Sequence, residues 1–373
     1  MKTVYLDNAA TTAIRPEVIT EMTNVLTSVY GNPSSSHQEG RSAKNLLEQA
    51  RKTIAKLCGS QANEVLFTSS ATEATNWVLQ NAVENLGVKR IISTEIEHHA
   101  TLHTLRFLEN KHQIELVLLP LEPSGSYSNL EQILFDEKPT LVSLMHVNNE
   151  IGTMHNIANI AQVCKKYKAL FHCDAVQSLG KLPLNFKALE IDFLVASAHK
   201  FHGPKGVGFL LHKKTTSLKP IFYGGEQERG LRAGTEAVHQ VVGMAKALSL
   251  SYENAAEVNA QVKMLNDYTI AGIKNLFPDA FFVGENRIDT ILNVVLPLAE
   301  AQAALLLFQL DMKGISVSRG SACQSGSSKP SHVLAGVLPE NLISRPNIRI
   351  SFSYQNTKED IDALLAVLAE IKA

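Results

Sequence analysis

The stretch DFLVASAHKFHGPKGVGFLL, Asp192–Leu211, holds two short apolar runs joined by a polar segment rich in Gly and Pro. FLVA and GFLL are continuous apolar runs rather than alternating ones, which suits strands buried on both faces. The tight GPKG turn before the second run predicts that it pairs antiparallel. Moving outward, further β-rich runs recur from about Glu64: EVLFTS, RIIST, IELVLLP, TLVSLMHV and ALFHCD. Between them EATNWVLQNAVENL, HATLHTLRFLENK and IANIAQVCKKYK carry helical spacing. Alternating β and α elements predict an α/β fold with a mostly parallel sheet flanked by helices.

From Thr235 to about Phe277 the chain reads as helix. TILNVVLPL, AEAQAALLLFQLD, GISVSR, PNIRIS and KEDIDALLAVLAEIK then predict a smaller α+β domain. The expected division is a large domain over 15–250 and a small one made of 1–14 and 251–373.

Bulk properties narrow the class. The chain has 373 residues, 45% hydrophobic and 19% charged, enough to bury a large core. A net charge of −1 argues against a nucleic-acid or anionic-membrane partner held by bulk charge. Four cysteines, Cys58, Cys164, Cys173 and Cys323, form no CxxC pair and no disulfide framework, so a reducing compartment is expected. Asp7 comes too early for a signal peptide, and no apolar run approaches a membrane span. The expectation is a cytoplasmic protein.

Ligands of open α/β sheets gather at the carboxyl ends of the strands. Here the strands are followed by TSSATEATN, STEIEHHA, HVNNEIG, DAVQS and SAHKFHGPKG. Five polar strand ends on one rim describe a cofactor pocket. Lys200, at a strand end with FLVA behind it, could be desolvated and nucleophilic, as a Schiff-base lysine must be; alone it would read as a solvated turn lysine. Asp174 is aimed at the same rim, where it could pair with the pyridinium nitrogen of pyridoxal 5′-phosphate (PLP); alone it could cap a turn. SSATEATN reads as a strand-to-helix turn whose N–H groups and Thr72 hydroxyl could bind a phosphate, or as a plain N-cap. His98 could stack on a flat ring and move protons. His99 and His103 are spaced for a metal, but no HExxH or Cys/His zinc spacing accompanies them, so they read as a solvated helix face and no metal is expected.

These motifs, with YLDNAATT, GNPSSSH, MHVNNEIGT, GGEQERGLRAGT, SRGSACQS and NIRISF, run through nearly the whole chain. Together they resemble a cysteine desulfurase of the class V aminotransferase superfamily, which has the PLP fold-type I architecture. The resemblance implies PLP as cofactor and L-cysteine as substrate. It makes Lys200 the Schiff-base lysine, Asp174 the pyridinium partner and Gln177 the donor to the phenolic oxygen. His98 becomes the stacking and acid–base histidine. Ala71, Thr72, Ser197 and His199 become the phosphate cradle, joined across a homodimer by Thr235. Asn32, Asn149 and Arg349 surround the substrate, with the Arg349 fork suited to its α-carboxylate. Asn149 also faces the cofactor. Cys323 becomes the persulfide-forming cysteine, flanked by Arg319 and Lys329, on a loop expected to travel between the pocket and a sulfur-acceptor protein such as an iron–sulfur scaffold.

Three departures stand out. Ser70 occupies a usual Gly position, where a positive φ would be strained. Ala198 and His202 replace a common Gly and Tyr. The tail by which some relatives dock a scaffold protein is short. A selenocysteine lyase, another class V enzyme or a non-catalytic scaffold are the competing readings; intact Lys200, Asp174 and Cys323 argue against the scaffold.

Overall fold

The computed structural model describes residues 3–136, 138–298, 300–320 and 331–372, apart from the side chains of 300–304. Its strands are β1 (Val4–Tyr5), β2 (Val65–Thr68), β3 (Arg90–Thr94), β4 (Glu115–Leu119), β5 (Thr140–Met145) and β6 (Leu170–Asp174). They continue with β7 (Phe193–Ser197), β8 (Gly208–His212), β9 (Phe281–Val283), β10 (Ile291–Val295), β11 (Ile315–Ser316) and β12 (Asn347–Ser351). All seven runs expected between Glu64 and Leu211 form strands.

Those seven make one sheet in the order β2-β8-β7-β6-β5-β3-β4. β3 to β7 pair parallel, while β8 runs antiparallel to both β7 and β2. Every residue of β5, β7 and β8 is buried, so continuous apolar runs there reflect cover on both faces. β4, at the sheet edge, is covered less completely. Helix Ala71–Glu84 inserts Trp77 fully into one layer, and its indole N–H reaches the Lys219 carbonyl at 2.7 Å. On the other layer, Gln38–Leu57 and Val238–Glu253 pack against each other and bury Leu47, Ile54, Met244 and Leu248.

A second apolar cluster joins Val4 and Leu6 to residues from Val262 to Ile371. It lies under the antiparallel sheet β12-β10-β9 and the parallel pair β1-β11, with helices Ala255–Leu276 and Lys358–Lys372 packed together. Helices Val238–Glu253 and Ala255–Leu276 meet at Asn254.

The segment after β1 bridges the two clusters. Asn8 donates to the Ser351 carbonyl at 2.8 Å, and the Ala9 amide to Ser351 Oγ at 2.8 Å. Four residues on, the Thr12 amide and hydroxyl both bond the His199 carbonyl at 2.9 Å. Residues near the start of the chain are thereby laid across the carboxyl ends of the large sheet.

Candidate active site

The strand ends enclose a cavity of about 250 Å³, in scale with a single-ring cofactor. β2 leads through Ser69 and Ser70 into helix Ala71–Glu84. Ser70 has φ −172°, extended backbone open to any residue, so the expected strain is absent. Its hydroxyl instead caps the helix, accepting from the Glu73 amide at 3.3 Å. Ser197, at the end of β7, accepts from the Ala71 amide at 2.8 Å. Thr72 is left facing the cavity, and among the described residues neither its amide nor its hydroxyl has a side-chain or loop partner. An open amide and hydroxyl at the first turn of a helix suit a phosphate.

β3 delivers His98, the N-cap of helix His99–His112, whose Nδ1 accepts from the Ala100 amide at 3.1 Å. Burial, and then the charge of Lys200, pushes its pKa down to about 4. At neutral pH the imidazole is uncharged, so it can lie against a cationic heteroaromatic ring without repulsion. His199, whose Nδ1 lies 3.1 Å from Thr11 Oγ1, is likewise pushed to about 4 by burial and by neighbouring lysines. His99 and His103 form part of a ring cluster with His332, at 4.8 Å and 4.4 Å between centroids. His99 is therefore partly packed rather than wholly solvated.

β6 ends on Asp174, 8% exposed, with Oδ1 held by the Val176 amide at 2.9 Å. Burial raises its pKa to about 6, against the opposing pull of that amide and of Lys200. A carboxylate so placed gains from a cationic partner, and a protonated pyridine ring supplies one. Three residues on, Gln177 Nε2 donates to the Ala9 carbonyl at 2.9 Å.

Lys200, in the short turn after β7, donates to the carbonyls of Ala9 and Ala10 at 2.6 Å and 2.8 Å. Arg349, from β12, is 1% exposed and reaches the cavity wall opposite. Its Nη2 donates to Asp7 Oδ1 at 2.8 Å and its Nη1 to the Asn149 carbonyl at 2.9 Å.

One cavity thus gathers Ala71, Thr72, His98, Asn149, Asp174, Gln177, Ser197, His199, Lys200 and Arg349. Asn32 and Thr235 are exposed and do not line it. Cys323 and Lys329 lie outside the described residues. The motif reading assigned no role to Asp7, Ala9, Ala10 or Lys181. The first three sit in the quoted YLDNAATT motif, but two of them act through backbone carbonyls, which no side-chain pattern reveals.

Residues 4–364 match the family model described as aminotransferase class-V. The chain belongs to that family. It is 40% identical over 375 residues to "Cysteine desulfurase IscS" of Dictyoglomus turgidum, covering 99% of this chain and 94% of that one. A solved "NifS-like protein" matches with a TM-score of 0.91 at 35% identity, covering 99% of both chains. The structure titled "SspA in complex with cysteine" matches with a TM-score of 0.82 at 31% identity, covering 95% of this chain and all of that one. Within the class-V family the chain stands with the PLP-dependent cysteine desulfurases. The uncharged histidine, the buried carboxylate and the open Thr72 amide and hydroxyl fit that cofactor.

Proposed function

We propose that this chain converts L-cysteine to L-alanine and takes the sulfur onto Cys323 as a persulfide. The observation that carries the reading is the meeting of Lys200, Asp174 and Arg349 at a single cavity. PLP, when bound, supplies an electron sink for bond breaking at the substrate's Cα and Cβ. Lys200 would hold the cofactor and then move the Cα proton. Asp174 would keep the ring nitrogen protonated. Thr72, through its amide and hydroxyl, would hold the phosphate with Ser197 and His199. Gln177 would donate to the phenolic oxygen, and the neutral His98 would cover the ring. Arg349, with Asn149 beside it, would take the substrate carboxylate, excluding amines that lack one.

In the sulfur step the Cys323 thiolate attacks the substrate sulfur. A sulfur–sulfur bond forms and the Cβ–S bond breaks, its electron pair staying on Cβ, which takes a proton to become the methyl group of alanine. L-Cysteine plus the Cys323 thiol gives L-alanine plus the Cys323 persulfide, so the sulfurs are oxidised as the carbon is reduced. The persulfide would then pass to a sulfur-acceptor protein, such as an iron–sulfur scaffold in the cytoplasm. Among the described residues no helix is long and apolar enough to cross a membrane.

The reading includes a homodimer. Asn32 and Thr235 lie on the surface, which also carries large exposed aromatic side chains: Tyr30, two residues before Asn32, is 82% exposed and Tyr223 86%. A second copy covering this region would bury them and bring Thr235 to the partner's phosphate.

The test is incubation of the PLP-loaded protein with L-cysteine, scoring alanine and protein-bound persulfide. Equal amounts are expected in a single turnover without reductant. Absence of alanine would overturn the assignment; alanine formed undiminished by Cys323→Ser would remove the cysteine from it.

A further inference from the structure

Lys181 lies one turn beyond Gln177 and has no part in the roles above. Its Nζ donates to Gln177 Oε1 at 2.9 Å. Gln177 Nε2 donates to the Ala9 carbonyl at 2.9 Å, and Lys200 Nζ donates to that same carbonyl at 2.6 Å. The four groups form one chain that ends at the catalytic lysine.

The chemistry of this chain settles which way the Gln177 amide faces. An amide can usually be turned over with little to distinguish its two ends. Here one neighbour, the Lys181 amine, is a donor, and the other, the Ala9 carbonyl, can only accept. Turning the amide over would set NH₂ against the amine and oxygen against oxygen. With Oε1 and one Nε2 hydrogen both engaged, the second Nε2 hydrogen is left for the cavity that Gln177 lines. The backbone carbonyl alone would enforce this from one side; Lys181 enforces it from the other.

The surroundings of Lys181 favour this role over a structural ion pair. Among the described residues it has no carboxylate partner. The charged and titratable groups around it are Lys200, Arg349, His199 and His202. Burial first, and then the charges of Lys200 and Arg349, push its pKa down to about 7. A largely enclosed lysine among cations is a costly arrangement. The neutral amine can still donate to Gln177, but its lone pair can also accept, so Lys181 fixes the amide strictly only as the ammonium, and the Ala9 carbonyl fixes it in both states.

We infer that Lys181 is a positioning residue which locks the Gln177 amide so that an N–H, rather than a carbonyl oxygen, faces the phenolic oxygen of the cofactor. The inference rests on the reading of Gln177 given above.

The experiment is a double-mutant cycle on the PLP-loaded protein, read from the pH midpoint of the cofactor's visible absorbance band. A donor at the phenolic oxygen lowers that midpoint by competing with the neighbouring nitrogen-bound proton. Lys181→Met and Gln177→Ala are each expected to raise the midpoint by about half a pH unit or more. Combined, they should raise it no further than Gln177→Ala alone. Lys181→Arg, which keeps a donor, should restore part of the shift. If Lys181→Met raises the midpoint equally in the Gln177→Ala background, Lys181 acts through its charge and the inference fails. If Gln177→Ala leaves the midpoint unmoved, the reading of Gln177 itself fails. Lys181→Ala serves in the same cycle should the methionine variant not fold.

Discussion

Asp7 and Arg349, 342 positions apart in the chain, meet in an ion pair of 2.8 Å at the wall of the cavity. The other Asp7 oxygen accepts from Ser318 Oγ at 2.8 Å, and the second Arg349 amino group is held by the Asn149 carbonyl. The guanidinium is therefore fixed in plane before any substrate arrives. Arg349→Lys loses the planar fork. It should raise KM for L-cysteine about tenfold or more while changing kcat less. Asp7→Asn removes the charge that steadies the fork and should raise KM to a smaller extent. Steady-state kinetics of the two variants check this, and an unchanged KM in Arg349→Lys would detach Arg349 from the substrate.

Glu97 should impose a pH dependence on folding. It is 1% exposed, accepts from the Met145 amide at 3.0 Å, and has its pKa raised to about 8, chiefly by burial and further by Asp174. Between the ordinary value of 4.5 and about 8 the folded state binds more protons at this site than the unfolded state. Its contribution to stability therefore falls as pH rises through that window, by at most about 1.4 kcal/mol per pH unit. Lys181 and the buried histidines act in the opposite direction, so the measurement is a difference. Melting of the cofactor-free protein at pH 6.5 and pH 8 should show wild type losing stability relative to Glu97→Gln as pH rises.

Thiol reactivity should separate one cysteine from three. Cys58, Cys164 and Cys173 are all buried. Burial pushes the Cys58 thiol up to about 12 and raises the other two as well. None supplies thiolate near neutral pH. Brief alkylation of the native protein should label Cys323 alone, Cys323→Ser should take up no label, and the denatured wild type should label at all four positions.

A stability test sits away from the cavity. Arg51 and Glu228 pair through two bonds of 2.6 Å and 2.8 Å at 3% and 2% side-chain exposure. Glu228 also accepts from the Phe67 amide at 2.9 Å, tying the loop Gln227–Gly230 to β2. Glu228→Ala strands a buried guanidinium and should cost about 3–5 kcal/mol in urea unfolding.

Much of this architecture is legible in the amino-acid order because the local signals agree. The runs in β5, β7 and β8 are mostly apolar because both faces are covered, and the ends of β2, β3, β5, β6 and β7 lead into the polar groups that the cavity gathers. What is not legible is either long-range or made of backbone. Nothing about Ala9 announces that its carbonyl receives both Lys200 and Gln177. Nothing in the sequence marks Lys181 until its bond to Gln177 is seen. At Ser70 a residue-type expectation misleads: the extended backbone makes serine an ordinary helix cap there.

The segment Asp7–Thr12 also bears on how the protein is made. It supplies the carbonyls for Lys200, the carboxylate for Arg349 and the hydroxyl beside His199, yet Asn8 is anchored by Ser351 and Asn356. Translation produces those partners almost 350 residues later. The large sheet can assemble while the ribosome is still at work, but the catalytic cleft cannot close over its first residues until the chain is nearly complete. Competence to hold the cofactor is thus a late event in the life of each molecule, and a nascent chain stalled before β12 would carry the lysine without the frame that aims it.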